Sequence, residues 1–192
     1  MRSASPAPAR RLFFALWPSD PERCALAQAT HPAAAASGGR PVPAASLHAT
    51  LAFLGSVPEG RIPELGRIAQ EVAMEFSGAA RPPPLCFEAL AHWAKPRVLV
   101  ALAPDEPRVQ ALAARLKERT AAAGFRPDLK PFHAHVTVAR KVSHASCAAQ
   151  ALRPVAWDCA AFALVDSRTE SAAPAYSVVA SYALVKSENA RS

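Results

Sequence analysis

The chain contains no run of ~18–20 apolar residues, so the sequence offers no helix that would cross a membrane. Its opening, Met1 to Arg10, lacks the apolar centre of a signal peptide. A disordered tail over 1–10 and a cytoplasmic location are the expectations. Cysteine is scarce: Cys24, Cys86, Cys147 and Cys159 stand apart with no C-x-x-C pair. That spacing argues against a disulfide scaffold or a cysteine-held zinc, and leaves core thiols. The six histidines include no H-E-x-x-H pattern, so no metal site is expected and no cofactor is called for. Acidic residues are outnumbered, 15 against 22 Lys+Arg, giving a net charge of +7 and a pI near 9.7. Such a field favours anionic partners, nucleic acid or nucleotides before a cationic substrate. Dispersed positive charge is equally an ordinary solvated surface.

What is present suits one domain or two closely packed lobes: 192 residues, 51% of them hydrophobic, a share that alanine inflates. Arg11 to Trp17 is a short apolar run closed by Pro18, the pattern of a buried strand. Ser19, Pro21 and Glu22 form a helix start with a capping box, and that helix runs to about Ala36, with a kink or an end at His31-Pro32. A second helix is expected over Arg61–Phe76 and a third from Asp105 to Gly124. Leu85–Leu90 and Arg97–Leu102 suggest an antiparallel pair, and Trp157–Val165 and Tyr176–Val185 two late strands. The order lacks the strict alternation of a doubly wound sheet, so the fold class is α+β, with antiparallel-rich sheets and outer helices.

Two stretches share one cell. Ser46 to Gly55 contains His48-Ala49-Thr50, and Phe132 to Arg140 contains His135-Val136-Thr137, each followed by apolar residues. In an extended strand alternate side chains share a face. His48 and Thr50 therefore point together, as do His135 and Thr137. A helix precedes each cell, over 19–54 and 105–140, an internal echo that would set two similar lobes about a central groove. A lone His-x-Thr is usually structural; a matched pair is a candidate catalytic site.

These pieces resemble the two-histidine (2H) phosphoesterase superfamily, and within it the bacterial RNA 2',3'-cyclic phosphodiesterases, historically called 2'-5' RNA ligases. The resemblance rests on Leu12-Phe13-Phe14-Ala15-Leu16, Leu47 to Gly55, Phe132 to Arg140, and the late Val165-Asp166-Ser167 with Tyr176, spanning about 11–185. Ala134 departs from the proline that relatives often carry there, and removes no catalytic group. The resemblance implies a bilobal domain over 11–186, with loose residues at 187–192. It also implies a groove between pseudo-symmetric lobes, no metal, and hydrolysis of a cyclic phosphate at an RNA end to a 2'-phosphomonoester. The implied partner is an RNA or oligonucleotide with a 2',3'-cyclic phosphate end, met by a monomer without a membrane.

It also implies roles: His48 as proton donor to the departing 3'-oxygen and His135 as the base that activates water. Residue chemistry alone does not order the two. Thr50, Thr137 and Arg140 suit the phosphate oxygens. Strict alternation puts Ala139 on the His135 face, so Arg140 joins only if the strand twists, bulges or ends; otherwise it makes a surface salt bridge. Phe53, Trp93 and Phe132 either stack on a base or belong to the core. His133 either lines the groove or faces solvent, Arg40 is a possible contact to the substrate backbone, and His31, His92 and His144 are expected at the surface. Alternative functions are a phosphodiesterase for small cyclic nucleotides or 2',5'-linked oligonucleotides, with weak reverse ligation, or a non-catalytic RNA-end-binding module.

Overall fold

The computed structural model describes residues 8–77, 83–143, 151–168 and 175–184. In chain order the elements are β1 (Ala9–Leu16), α1 (Asp20–Ala36), β2 (Arg40–Pro41), β3 (Ala49–Pro58), α2 (Ile62–Ser77), β4 (Leu85–Trp93), β5 (Val98–Leu102), α3 (Pro107–Ala122), β6 (His135–Arg140), β7 (Ala151–Trp157), β8 (Ala161–Arg168) and β9 (Ala175–Ala183). The strands form two antiparallel sheets, ordered β3-β1-β8-β9 and β2-β6-β5-β4-β7. Without the two-residue edge strand β2, the second sheet repeats the first position for position: β6 stands for β3, β5 for β1, β4 for β8 and β7 for β9. This is the α+β bilobal architecture that the sequence pattern implied.

The helices cross over. α1, which leaves β1 of the first sheet, packs on β7, β2 and β6 of the second, while α3, which leaves β5, packs on β3 of the first beside α2. Each lobe is thus covered by the helix that the other lobe's strand feeds. One core results, running from Leu12, Phe14 and Leu26 through Leu65, Phe87 and Leu112 to Trp157 and Phe162. The β1 run is continuously apolar because both its faces are covered: Leu12, Phe14 and Leu16 join this core, and Phe13 and Ala15 join a second cluster with Ala163 and Val165. The second cluster forms the floor beneath Phe53, Trp17 and Tyr176.

Local signals read correctly where they were chemical. The Glu22 carboxylate accepts from the Ser19 amide at 2.8 Å, which starts α1 where the capping box required. That helix continues through Pro32 to Ala36. Other boundaries moved. β1 begins at Ala9, so Ala9 and Arg10 belong to a strand and not to the tail expected over 1–10. The late run from Trp157 is not one strand: β7 ends at Trp157 and β8 starts at Ala161. β7 carries a proline and alternating exposed residues, so it offered no apolar run to read. Residues 187–192 and His144 lie outside the described residues.

Candidate active site

His48 stands just before β3 and His135 opens β6, so the two imidazoles come from equivalent strand starts in the two sheets. Each ring is held in the same way. Nδ1 of His48 donates to the Ser46 carbonyl at 2.7 Å, and Nδ1 of His135 donates to the His133 carbonyl at 2.7 Å. A backbone carbonyl two residues upstream thereby fixes the tautomer and leaves Nε2 of each ring for chemistry. A 3₁₀ turn over Ala44–Ser46 brings the Ser46 carbonyl to its place.

Alternation holds for the two threonines. Thr50 and Thr137 are half-buried between the buried pairs Ala49/Leu51 and Val136/Val138. Beyond them each strand slips. Ala15 pairs with Thr50 while Phe14 pairs with Ala52, so Leu51 is an extra residue in β3. Val100 pairs with Thr137 while Leu99 pairs with Ala139, so Val138 is an extra residue in β6. A bulge of this kind turns the following side chains to the other face. It brings Phe53 onto the Thr50 side and Arg140 onto the Thr137 side, where strict alternation would have set Ala52 and Ala139.

His48, Thr50, His135, Thr137 and Arg140, with Ser46 and Val42, enclose a cavity of about 50 Å³. That holds a few water-sized groups, the scale of a phosphoryl group. The Arg140 guanidinium lies 3.4 Å from the Tyr176 hydroxyl, which accepts from it. Tyr176 also meets the His48 ring edge-on at 5.0 Å, Phe13 lies 4.8 Å from that ring, and Trp17 stacks on it at 5.6 Å. Burial in this aromatic box pushes the His48 imidazole down to about 4, against the carbonyl bond that raises it; the positive charge of Arg140 and then His135 lower it further. His135, whose ring is 4.6 Å from that of Trp93, is also lowered, first by burial. Both rings are therefore neutral at neutral pH.

A larger groove of about 500 Å³ continues from this cavity, sharing Thr50 and His135 with it. Phe53, Trp93 and Phe132 line its walls, and His133 stands at its rim with Nδ1 3.4 Å from Asp105. Phe132 is both wall and core, at 8% exposure. Arg40 lies in β2 directly across from Arg140, exposed on the outer edge and outside the walls of either cavity. His31 is exposed, whereas His92 is half-buried, against the expectation of a surface residue: it pairs with the core residue Leu99 across β4 and β5. The aromatic box of Phe13, Trp17 and Tyr176 and the carbonyl anchors escaped sequence reasoning. Phe13 and Tyr176 carried signal only as parts of the early and late stretches of the resemblance, and Trp17 carried none.

The comparisons agree with this geometry. Residues 18–170 match the family model described as the 2'-5' RNA ligase superfamily. A curated RNA 2',3'-cyclic phosphodiesterase of Thermus thermophilus is 31% identical over 91% of this chain and 90% of its own length. One of Escherichia coli is 35% identical over 71% of this chain and 74% of its own length. Among solved structures, that of E. coli LigT complexed with 3'-AMP superposes with a TM-score of 0.76 at 26% identity, covering 93% of this chain and all of the other. With its paired His-x-Thr strands facing across one groove, the chain belongs to the 2'-5' RNA ligase superfamily.

Proposed function

We propose that this protein is an RNA 2',3'-cyclic phosphodiesterase, which opens the cyclic phosphate at an RNA 3' end to leave a 2'-phosphomonoester. One observation carries the reading: two imidazoles with carbonyl-anchored Nδ1 atoms border one phosphate-sized cavity that Thr50, Thr137 and Arg140 complete. The likeness in sequence to curated enzymes of that name, over most of the chain, supports it.

Ring opening needs one proton taken from water and one given to the departing 3'-oxygen. His135 Nε2 accepts the proton of water as its oxygen bonds to phosphorus. His48, protonated on Nε2, donates to the 3'-oxygen as the P–O3' bond breaks. The Thr50 and Thr137 hydroxyls and the Arg140 guanidinium stabilise the charge spread over the phosphoryl oxygens. His48 is neutral at neutral pH, and a phosphate anion opposes the charge of Arg140 and favours the imidazolium beside it. The protein reactions supply acid, base and charge stabilisation from side chains alone.

The opposite assignment has one observation in its favour. His48 is the more strongly buried ring, and a depressed imidazole is the more natural base. Both assignments use the same pair. His48, Thr50, His135, Thr137 and Arg140 all belong to one chain, so a monomer suffices for the proposed reaction. The thiols of Cys24 and Cys86 suit a reducing, cytoplasmic setting. The test is turnover of a nucleoside 2',3'-cyclic phosphate in EDTA with the product identified. A 2'-phosphate is expected; no turnover, or a 3'-phosphate, overturns the reading.

A further inference from the structure

The phosphate cavity accounts for the terminal phosphate and leaves the larger groove without a role. That groove shares Thr50 and His135 with the cavity, so whatever carries the cyclic phosphate extends along it. Its volume is in the range of sites that enclose a small organic ligand, far above what a phosphate needs. One part of its lining is aromatic, with Phe53, Trp93 and Phe132, and suits a nucleoside. Another part is ionic: Lys117 from α3, and Asp128 and Lys130 from the loop that leads to β6.

The ionic end has a defined arrangement. The Lys117 ammonium donates to the Lys130 carbonyl at 2.6 Å, which ties α3 to the loop. The Asp128 carboxylate accepts from the Lys130 amide at 3.0 Å, and the Asp128 amide donates to the Phe53 carbonyl at 3.1 Å, which ties the loop to β3. Lys130 thus borders the groove on a loop pinned at two points, with Lys117 beside it on α3. Asp128 takes part of the positive charge, and its own carboxylate is partly committed to the turn. Two lysines against one aspartate give this part of the lining a net positive charge.

We propose that Lys117 and Lys130 form a subsite for the phosphodiester on the 5' side of the terminal nucleotide. The proposal rests on the phosphodiesterase reading and narrows its substrate class. In a chain ending in a 2',3'-cyclic phosphate, one nucleoside separates that phosphate from the next. The groove beside the phosphate cavity carries both features such a chain needs, aromatic walls for the nucleoside and two lysines for a second phosphate. The substrate is therefore an oligonucleotide, or a nucleotide bearing a 5'-phosphate, in preference to a nucleoside cyclic phosphate with a free 5'-hydroxyl.

The experiment compares one nucleoside 2',3'-cyclic phosphate with a 5'-hydroxyl and the same compound with a 5'-phosphate. The 5'-phosphate is expected to raise kcat/KM about tenfold, as charge-assisted hydrogen bonds of partly exposed groups do. The gain should shrink as salt rises. In Lys117→Gln/Lys130→Gln the gain should vanish, while turnover of the 5'-hydroxyl compound stays within about twofold of wild type, which also reports an intact fold. Equal kcat/KM for the two substrates in wild type, or a gain that survives in the double variant, overturns the subsite. Absence of turnover with both substrates would instead sink the phosphodiesterase reading. In that event equilibrium binding of the same two compounds decides the subsite: tighter binding of the 5'-phosphate form, lost in the double variant, supports it, and equal affinity overturns it.

Discussion

Leu51 in β3 and Val138 in β6 are equivalent bulge residues, one in each sheet. Each stands just after the threonine of its cell, and each turns the strand so that a different side chain finishes the site: Phe53 in one lobe, Arg140 in the other. The pseudo-symmetry of the backbone is therefore kept and that of the chemistry is broken. One lobe contributes an aromatic wall and the other a cation that faces the shared cavity.

Replacing either histidine by alanine should remove most turnover, by about 10²–10⁴ for each lost acid or base, with the far-UV spectrum unchanged. A substrate with a good leaving group at the 3' position needs no acid. It should restore activity to His48→Ala and not to His135→Ala. The reverse pattern would exchange the two roles, and rescue in neither would reduce both rings to phosphate positioning.

Thr50→Ala and Thr137→Ala should be milder than the histidine variants. Loss of one well-placed donor to a developing charge costs about 2.7–4 kcal/mol of transition-state stabilisation. Unchanged kcat/KM in both variants would make the threonines purely structural.

Arg140 lies on the His48 side of the cavity: its guanidinium meets the Tyr176 hydroxyl, and Tyr176 packs on the His48 ring. The charge of Arg140 is among the causes that hold His48 down to about 4, and it is absent from those acting on His135. In Arg140→Gln, titration of the ring protons by NMR should show the His48 pKa rising while that of His135 stays in place. Equal movement of both rings would mean that the guanidinium does not sit on the His48 side of the cavity.

His48 also links stability to pH. Its folded pKa, about 4, lies below the unfolded value of 6.5. Between these two values the unfolded chain binds the extra proton, so this contribution is complete above pH 6.5 and is lost as pH falls towards 4. The full effect is about 3 kcal/mol. Urea midpoints at a series of pH values should fall less steeply on acidification in His48→Asn than in wild type. Identical slopes would show that the ring is not held neutral by the fold.

Gly39 gives a test at a residue outside the cavity walls. A Cβ there would lie 2.7 Å from the Arg140 carbonyl, so only glycine lets the end of α1 pass β6 this closely. Gly39→Ala should cost about 1–3 kcal/mol in stability. It should also lower kcat/KM through displacement of Arg140. A variant as stable and as active as wild type would mean that the loop yields freely.

The sequence by itself determined what is local. A capping box needs only Ser19 and Glu22, three residues apart, and His-x-Thr puts two side chains on one face of any extended strand. The paired cells and their order could thus be read before any fold was known, as could the three helices. The tertiary structure decided what depends on pairing. Whether Arg140 faces the phosphate is set by a slip of register against β5, which β6's own pattern does not encode. The exchange of α1 and α3 between lobes follows from which sheet buries which apolar stripe. The depressed His48 is the clearest case. Phe13, Trp17 and Tyr176 box the ring from both ends of the chain, and the desolvation they impose exists only once β1, β3 and β9 have come together.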